Sequence, residues 1–125
     1  MSSDPYSAHV RQLFGAPAHA GRLASPLRAS IEAQGVRIRL SAEVDNNEVR
    51  AMRFEAWGCP HVIAAAEEVC ASFEGKPVSG LLGISAADLM QSLSVPVEKT
   101  GRILVVEDAV RLLGSVVRDA SNPDD

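Results

Sequence analysis

The chain has 125 residues, of which 46% are hydrophobic and 22% charged, with a net charge of −4. Those proportions describe one globular domain with a core of its own, residues 1–125, with 1–4 and 121–125 as frayed ends. They exclude a disordered chain, and the acidic balance excludes a nucleic-acid binder, which needs clustered Lys and Arg for phosphate contacts.

The N-terminus has no basic stretch followed by an apolar one, and no apolar run approaches the roughly 18 residues of a membrane span, so a cytoplasmic protein without a membrane segment is expected. Asp4-Pro5 reads as an N-cap followed by proline at the first helical position. Tyr6, Val10, Leu13 and Phe14 then recur with helical spacing, so residues 5–14 are expected to form a short amphipathic helix. Gly15 to Pro26 carries too much Gly, Pro and Ala to be regular, and is expected to lie as a loop on the body of the domain.

From Leu27 the period changes to two. Alternating apolar positions predict strands over 27–33, 36–44 and 49–57, with Gln34-Gly35 breaking the first pair and Asp45-Asn46-Asn47-Glu48 making a tight hairpin. Short turns make the three strands antiparallel neighbours. Scattered Arg37, Arg39, Arg50 and Arg53 are expected on the solvent side of this sheet. Trp57 is out of phase with Phe54 and Ala56, which favours exposure.

The stretch from Arg53 to Gly75 organises the rest. It reads as a strand end, a turn at Gly58, then Cys59 and Pro60 opening a helix with Val62, Ile63, Ala66, Val69, Cys70 and Phe73 on its apolar stripe. Proline suits the first helical turn, where its missing N–H would be unpaired anyway. Cys59 therefore stands at the N-cap, where the positive end of the helix favours a thiolate. Gly75 is the expected left-handed stop. Cys59 and Cys70 share one helix about 16 Å apart, too far for a disulfide or a common metal. Cys70 is expected to be a small buried hydrophobe. His61 falls on another side of the helix from Cys59 and is expected at the surface. His9 and His19 are expected to be solvated.

Ser85-x-x-Asp88 is a capping box for a helix through Leu93. Residues 94–100 are expected to be extended, because Pro96 disfavours helical conformation at Val95. The longest helix is expected from Gly101 or Arg102. Strands first and helices afterwards give an α+β fold, a three-stranded antiparallel sheet with the helices on one face.

Three pieces at matching spacing go further. They are YSAHVRQLFGAPAHAG, RFEAWGC, and the late K-T-G-R-I-L-V-V-E-D-A. Together, over about residues 5–120, they resemble the IscU/NifU N-terminal family of iron–sulfur cluster assembly scaffolds. The resemblance implies an assembly site built from three loops at one end of the sheet, an iron–sulfur cluster or iron as the bound species, and cysteine desulfurase or other assembly proteins as partners. Family scaffolds present one cysteine in an Ala-Cys-Gly-Asp turn, a second after glycine and a third in a Lys-x-His-Cys segment. Here the first turn reads Ala33-Gln34-Gly35-Val36, so Gln34 replaces the thiol and Val36 the carboxylate. Cys59 matches the second thiol. In Lys99-Thr100-Gly101-Arg102, Gly101 stands for the histidine and Arg102 for the third cysteine. The Leu-Pro-Pro-Val-Lys stretch that scaffolds show to a chaperone is here Val95-Pro96-Val97-Glu98-Lys99.

Cys59 is thus the one remaining candidate for holding a cluster or metal, with Gly35 and Lys99 beside the altered positions. One thiolate falls short of the four ligands that clusters and zinc ordinarily take. The expected function is an accessory or regulatory homologue in iron–sulfur cluster assembly, not an enzyme. Two alternatives stay open: an interaction module on the same fold, and a thiol or sulfur-transfer protein using Cys59, whose thiolate Arg102 would stabilise.

Overall fold

The computed structural model describes residues 6–120, so the expected Asp4-Pro5 cap and the frayed ends lie outside the described residues. The first helix, α1 (Ala8–Gly15), is capped by Ser7, whose Oγ accepts the Val10 N–H at 3.1 Å. Tyr6 precedes it in a bend, not in the helix as its spacing suggested.

Strands β1 (Arg28–Ala33), β2 (Val36–Asp45) and β3 (Glu48–Trp57) form an antiparallel sheet in the order β1-β2-β3. The expected bounds hold to within a residue. Both turns are two residues long with positive φ, 55° and 73° at Gln34 and Gly35 and 57° and 62° at Asn46 and Asn47. Such turns match the right-handed twist of the strands they join. Val36, Ile38, Leu40 and Ala42 of β2 are buried together with Met52 and Phe54 of β3, while Arg37, Arg39 and Glu43 stay outside. The period of two has become one dry face and one open face.

The dry face is covered by α2 (Pro60–Phe73) against β3 and α4 (Thr100–Ala120) against β1 and β2, with α3 (Ala86–Leu93) packed on both helices and α1 on α2. The α+β architecture read from the sequence is the one observed. Ser85 caps α3 by accepting the Asp88 N–H at 3.2 Å. Glu107 of α4 accepts the Ala86 N–H at 2.6 Å and so ties the start of α3 to the long helix. Gly75 follows α2 with φ +82° and donates to Val49 O at 2.7 Å. Among the described residues no helix is long and apolar enough to cross a membrane.

Three local expectations are corrected. Residues 94–100 are not extended throughout: Ser94 is left-handed and Val97–Lys99 make one 3-10 turn, closed by Lys99 N–H to Pro96 O at 2.9 Å. Proline restrains Val95 but leaves the residues after it free to turn. The long helix begins at Thr100, and a second 3-10 segment, Val78–Gly83, links α2 to α3. Finally, His19 is not a solvated loop residue.

His19 locks residues 16–26 to the domain. Its backbone N–H donates to Glu67 Oε1 at 2.7 Å, its Nδ1 meets Glu67 Oε2, and its Nε2 lies 2.9 Å from Glu74 Oε1. Glu74 Oε2 accepts in turn from Met52 N–H at 2.8 Å and Arg53 at 2.6 Å. From there Ala20 bridges Phe54 at the open edge of β3, and Leu23 N–H reaches Ser41 Oγ on the open face at 2.9 Å. The segment therefore caps a strand edge that would otherwise be bare.

Burial lowers the His19 pKa, but the Glu67 and Glu74 carboxylates outweigh it and leave it above the ordinary 6.5. Burial raises Glu74, and Met52 N–H, Arg53 and His19 outweigh that in the other direction. A raised histidine stabilises the fold fully below pH 6.5 and loses that contribution as pH climbs through its folded value. The lowered Glu74 contributes above its ordinary 4.5 and loses it as pH falls through its own. His19→Ala is therefore expected to cost about 1.5–3 kcal/mol near pH 6, the range for charge-assisted hydrogen bonds, and less above pH 9. Urea denaturation of both proteins at the two pH values checks this; a pH-independent difference would contradict it.

Candidate functional site

Cys59 is the N-cap of α2, with φ −81° and ψ 166°, and Pro60 takes the first helical position. Its carbonyl accepts the Val62 N–H at 2.9 Å, so the backbone turns sharply around the half-buried sulfur. Gly58 allows that turn: a Cβ there would stand 3.3 Å from the Val62 side chain. No side-chain cap hydrogen bond of regular geometry is made, and the sulfur stands at the N-terminus of the helix.

Arg102, in the first turn of α4, reaches this sulfur. Burial alone would push the Cys59 thiol up; the Val62 N–H, the Arg102 guanidinium and the His61 N–H more than offset it, and the thiol lies below its ordinary value. A cation in the first turn of its own helix opposes the macrodipole. The contact with Cys59 supplies the compensating partner.

The other positions that the resemblance matches to family ligands gather at the same end. Gln34 sits at the tip of the β1–β2 turn, and its carboxamide lies 3.8 Å from where a Cβ on Gly101 would be. The turns at 34–35 and 58–59 and the segment 99–102 therefore meet, as the three-loop expectation required. Gly35 completes the first turn with φ +73°. Val36, in the place of a carboxylate, is 1% exposed and belongs to the core, so it offers the site no donor. Lys99 bears on the imidazole of His61. Beside them Trp57 is 48% exposed, as its strand phase suggested, with the guanidinium carbons of Arg37 and Arg39 each 5.6 Å from its ring centroid.

His61 overturns its expectation as a surface residue. It is 1% exposed, its ring centroid is 4.8 Å from that of Tyr6, and neither ring nitrogen has a hydrogen-bond partner among the described residues. Burial and the Lys99 charge both hold its pKa below the ordinary histidine value. Helical spacing did place it away from the apolar stripe, but that other side is covered by the segment before α1. In the same way Glu67, beneath His19, is buried on a side the stripe left polar. The legible signal for both was a helix flanked by two apolar segments, α1 and α4, which needs to be buried nearly all round.

Cys70 is fully buried, and burial followed by Glu67 and Glu74 pushes its thiol far up, so it is a structural residue with no access to the site. His9 is exposed and lies 3.2 Å from Glu68. Among the described residues no three His, Cys, Asp or Glu side chains are placed to hold a metal ion.

Comparison with known proteins adds the lineage. The NifU-like N-terminal domain family matches residues 5–113. An iron–sulfur cluster assembly protein IscU of Plasmodium falciparum is 30% identical over 112 residues, covering 85% of this chain and 69% of that protein. Iron sulfur cluster assembly protein 1 of Trachipleistophora hominis is 29% identical over 74 residues, 59% of this chain and 54% of its own length. Two crystal structures share the fold. The N-terminal part of a nitrogen-fixing NifU-like protein from Brucella abortus superposes with a TM-score of 0.71 at 15% identity, over 90% of this chain and 94% of that one. A protein of Fervidobacterium islandicum AW-1, described as an iron–sulfur cluster assembly scaffold for the SUF system, gives 0.70 at 12%, over 86% and 94%. The chain thus belongs to the NifU-like N-terminal domain family, that of the IscU-type iron–sulfur cluster assembly scaffolds.

Proposed function

We propose that this protein serves iron–sulfur cluster assembly as an accessory or regulatory member of its family, docking on a cysteine desulfurase or another assembly protein without carrying a cluster on one chain. The observation that carries this reading is the Arg102 guanidinium beside Cys59, in the position of a family thiol. Clusters are held by soft anionic donors, typically four thiolates. A guanidinium is a permanent cation with no lone pair to give, and the Gln34 amide is a hard, neutral donor. The residues present therefore do not fit a cluster bound by a single chain. What they retain is the body that relatives described as assembly proteins share, including the loop ends around the site. The accessory role involves no catalytic step.

A second reading rests on the same contact. A thiolate stabilised by Arg102 and a helix N-terminus is a competent nucleophile. It would accept sulfur by attacking the outer sulfur of a partner's cysteine persulfide: a bond forms from Cys59 Sγ to that sulfur, the partner's S–S bond breaks, and the electron pair leaves on the partner's thiolate. An interaction module that uses only the fold would need neither the thiol nor its pKa.

Anaerobic incubation of the monomer with iron, sulfide and a cysteine desulfurase is expected to give no stable visible-range cluster absorbance, whereas Gln34→Cys combined with Arg102→Cys restores it. A stable cluster on the unaltered monomer would overturn the reading.

Alkylation of Cys59 followed against pH should show a midpoint below that of a free thiol, and Arg102→Gln should move it upward. An unchanged midpoint would remove the Arg102 contact as its cause.

Cys59→Ser is expected to leave desulfurase capture in a pull-down intact while abolishing persulfide on this chain. Absence of capture by the wild-type protein would end the accessory reading.

A further inference from the structure

The sheet has two edges, and the chain treats them differently. The edge of β3 is covered at both ends: Ala20 bridges Phe54, and the stretch after α2 pairs with the start of the strand. There Gly75 N–H donates to Val49 O at 2.7 Å and Val49 N–H donates to Lys76 O at 2.9 Å. The outer edge of β1 has no such cover among the described residues.

The ladder determines which groups are left over. Ala42 N–H donates to Leu27 O at 3.0 Å. In the antiparallel register the pairs that exchange hydrogen bonds with β2 are therefore Ala29–Leu40, Ile31–Ile38 and Ala33–Val36. Arg28, Ser30 and Glu32 accordingly turn their backbone N–H and C=O outward, and no hydrogen bond reaches those groups among the described residues. Bare edges are ordinarily blunted by proline, lysine or a bulge. β1 contains neither residue, and its register with β2 runs without a shift.

Instead, two opposite charges flank Ser30 symmetrically. An antiparallel copy of the strand centred there sets Arg28 across from Glu32, Ser30 across from Ser30, and Glu32 across from Arg28. Every outward N–H and C=O then meets its complement, for about six ladder hydrogen bonds, and opposite charges face one another directly. A shift of two residues loses this match. One direction sets Glu32 across from Pro26, which has no N–H; the other sets Arg28 across from Gln34 in the turn. Arg28 has no carboxylate within ion-pair distance among the described residues. Glu32 pairs with Arg37 at 2.9 Å within its own chain, so in the paired copies it stands between two guanidiniums.

We propose that β1 pairs with β1 of a second copy of this chain about a twofold axis at Ser30, joining the two sheets into one. That axis stands perpendicular to the sheet, so both copies keep their helices on the same side. Neighbouring strands lie about 4.8 Å apart, which puts a helix seated over β1 and β2 about 10 Å from its symmetry mate, a distance at which helices pack. Leu112 is exposed on α4. It lies about 160° round that helix from Gly114, which abuts Leu81 and Leu82. Leu112 thus stands on the flank turned from the 78–83 segment, where the second α4 is brought alongside. On the dry face Ala29 meets Ile31 of the second copy, covering a side chain that a single chain leaves half-buried.

The test is sedimentation velocity of the full chain from about 10 μM to about 1 mM, with amide hydrogen exchange at both ends of that range. A monomer–dimer equilibrium is expected, and exchange at the Arg28, Ser30 and Glu32 amides should slow at least about tenfold as the dimer fills. Ser30→Pro removes an outward N–H that the β2 ladder does not use, and should weaken association about a hundredfold. Arg28→Glu places like charges across both halves of a symmetric interface and should weaken it about tenfold, and Glu32→Lys added to it should restore the dimer. These two charge changes lie on the exposed face and decide the matter even if Ser30→Pro does not fold. A monomer throughout the range would overturn the proposal. So would a dimer that Arg28→Glu leaves equally tight, or one in which those three amides stay unprotected.

Discussion

A single side-chain contact, the guanidinium of Arg102 against the sulfur of Cys59, sets the electrostatics at one end of this member of the NifU-like N-terminal domain family. It joins the N-terminal ends of the two helices that cover the sheet, α2 and α4, at the point where the β1–β2 turn also arrives. In a metal-holding site three loops supply negative, polarisable donors to a cation. Here one of the three supplies a cation of its own, and the remaining sulfur is balanced by that charge. The three segments converge, and the one that carries Arg102 brings a cation beside the sulfur.

The fold supports this end of the molecule from two directions. Gln34 can occupy the tip of a two-residue turn because the turn needs positive φ at both positions, and its amide fills the space beside Gly101. On the other side, α2 is buried almost all round, between the sheet, α1 and α4, which fixes Cys59 and carries His61 inside. Burial and Lys99 lower the His61 pKa, Arg102 acts on the thiol, and neither Arg102 nor Lys99 has a carboxylate within ion-pair distance among the described residues. Docking of a protein partner at this end would meet an exposed Trp57 and an 81% exposed Val97, apolar groups flanking the altered site.

The opposite, open face obeys a different logic. There the arginines that strand alternation placed outward are only partly neutralised: Arg37 by Glu32, Arg53 by Glu74, and Arg28 and Arg39 by no carboxylate among the described residues, while Arg22 of the 16–26 segment lies 3.7 Å from Glu55. The loop clamped by His19, Glu67 and Glu74 turns part of that face into a walled pocket. One network of hydrogen bonds thus both protects the edge of β3 and shapes the concavity beside it.

Much of the architecture was legible in the chain itself, because strand alternation, two-residue turns, the Ser85 capping box and the Pro60 helix start are all written within a few residues of one another. The replaced family positions were legible for the same reason, as substitutions within short motifs. The burial of His61 and Glu67, the His19 clamp and the turn at Val97–Lys99 were not. Each depends on which element covers a helix side or how the chain turns after a proline, and local spacing carries no record of that. Residue types told that Arg102 stands where the family resemblance puts a thiol, and composition told that only two cysteines are present. That Arg102 reaches the thiol, that Gln34 meets Gly101, and that Glu55 faces Arg22 while Arg39 turns onto Trp57 were settled by packing alone, since most of these partners come from distant stretches and meet only when sheet and helices close on a common core.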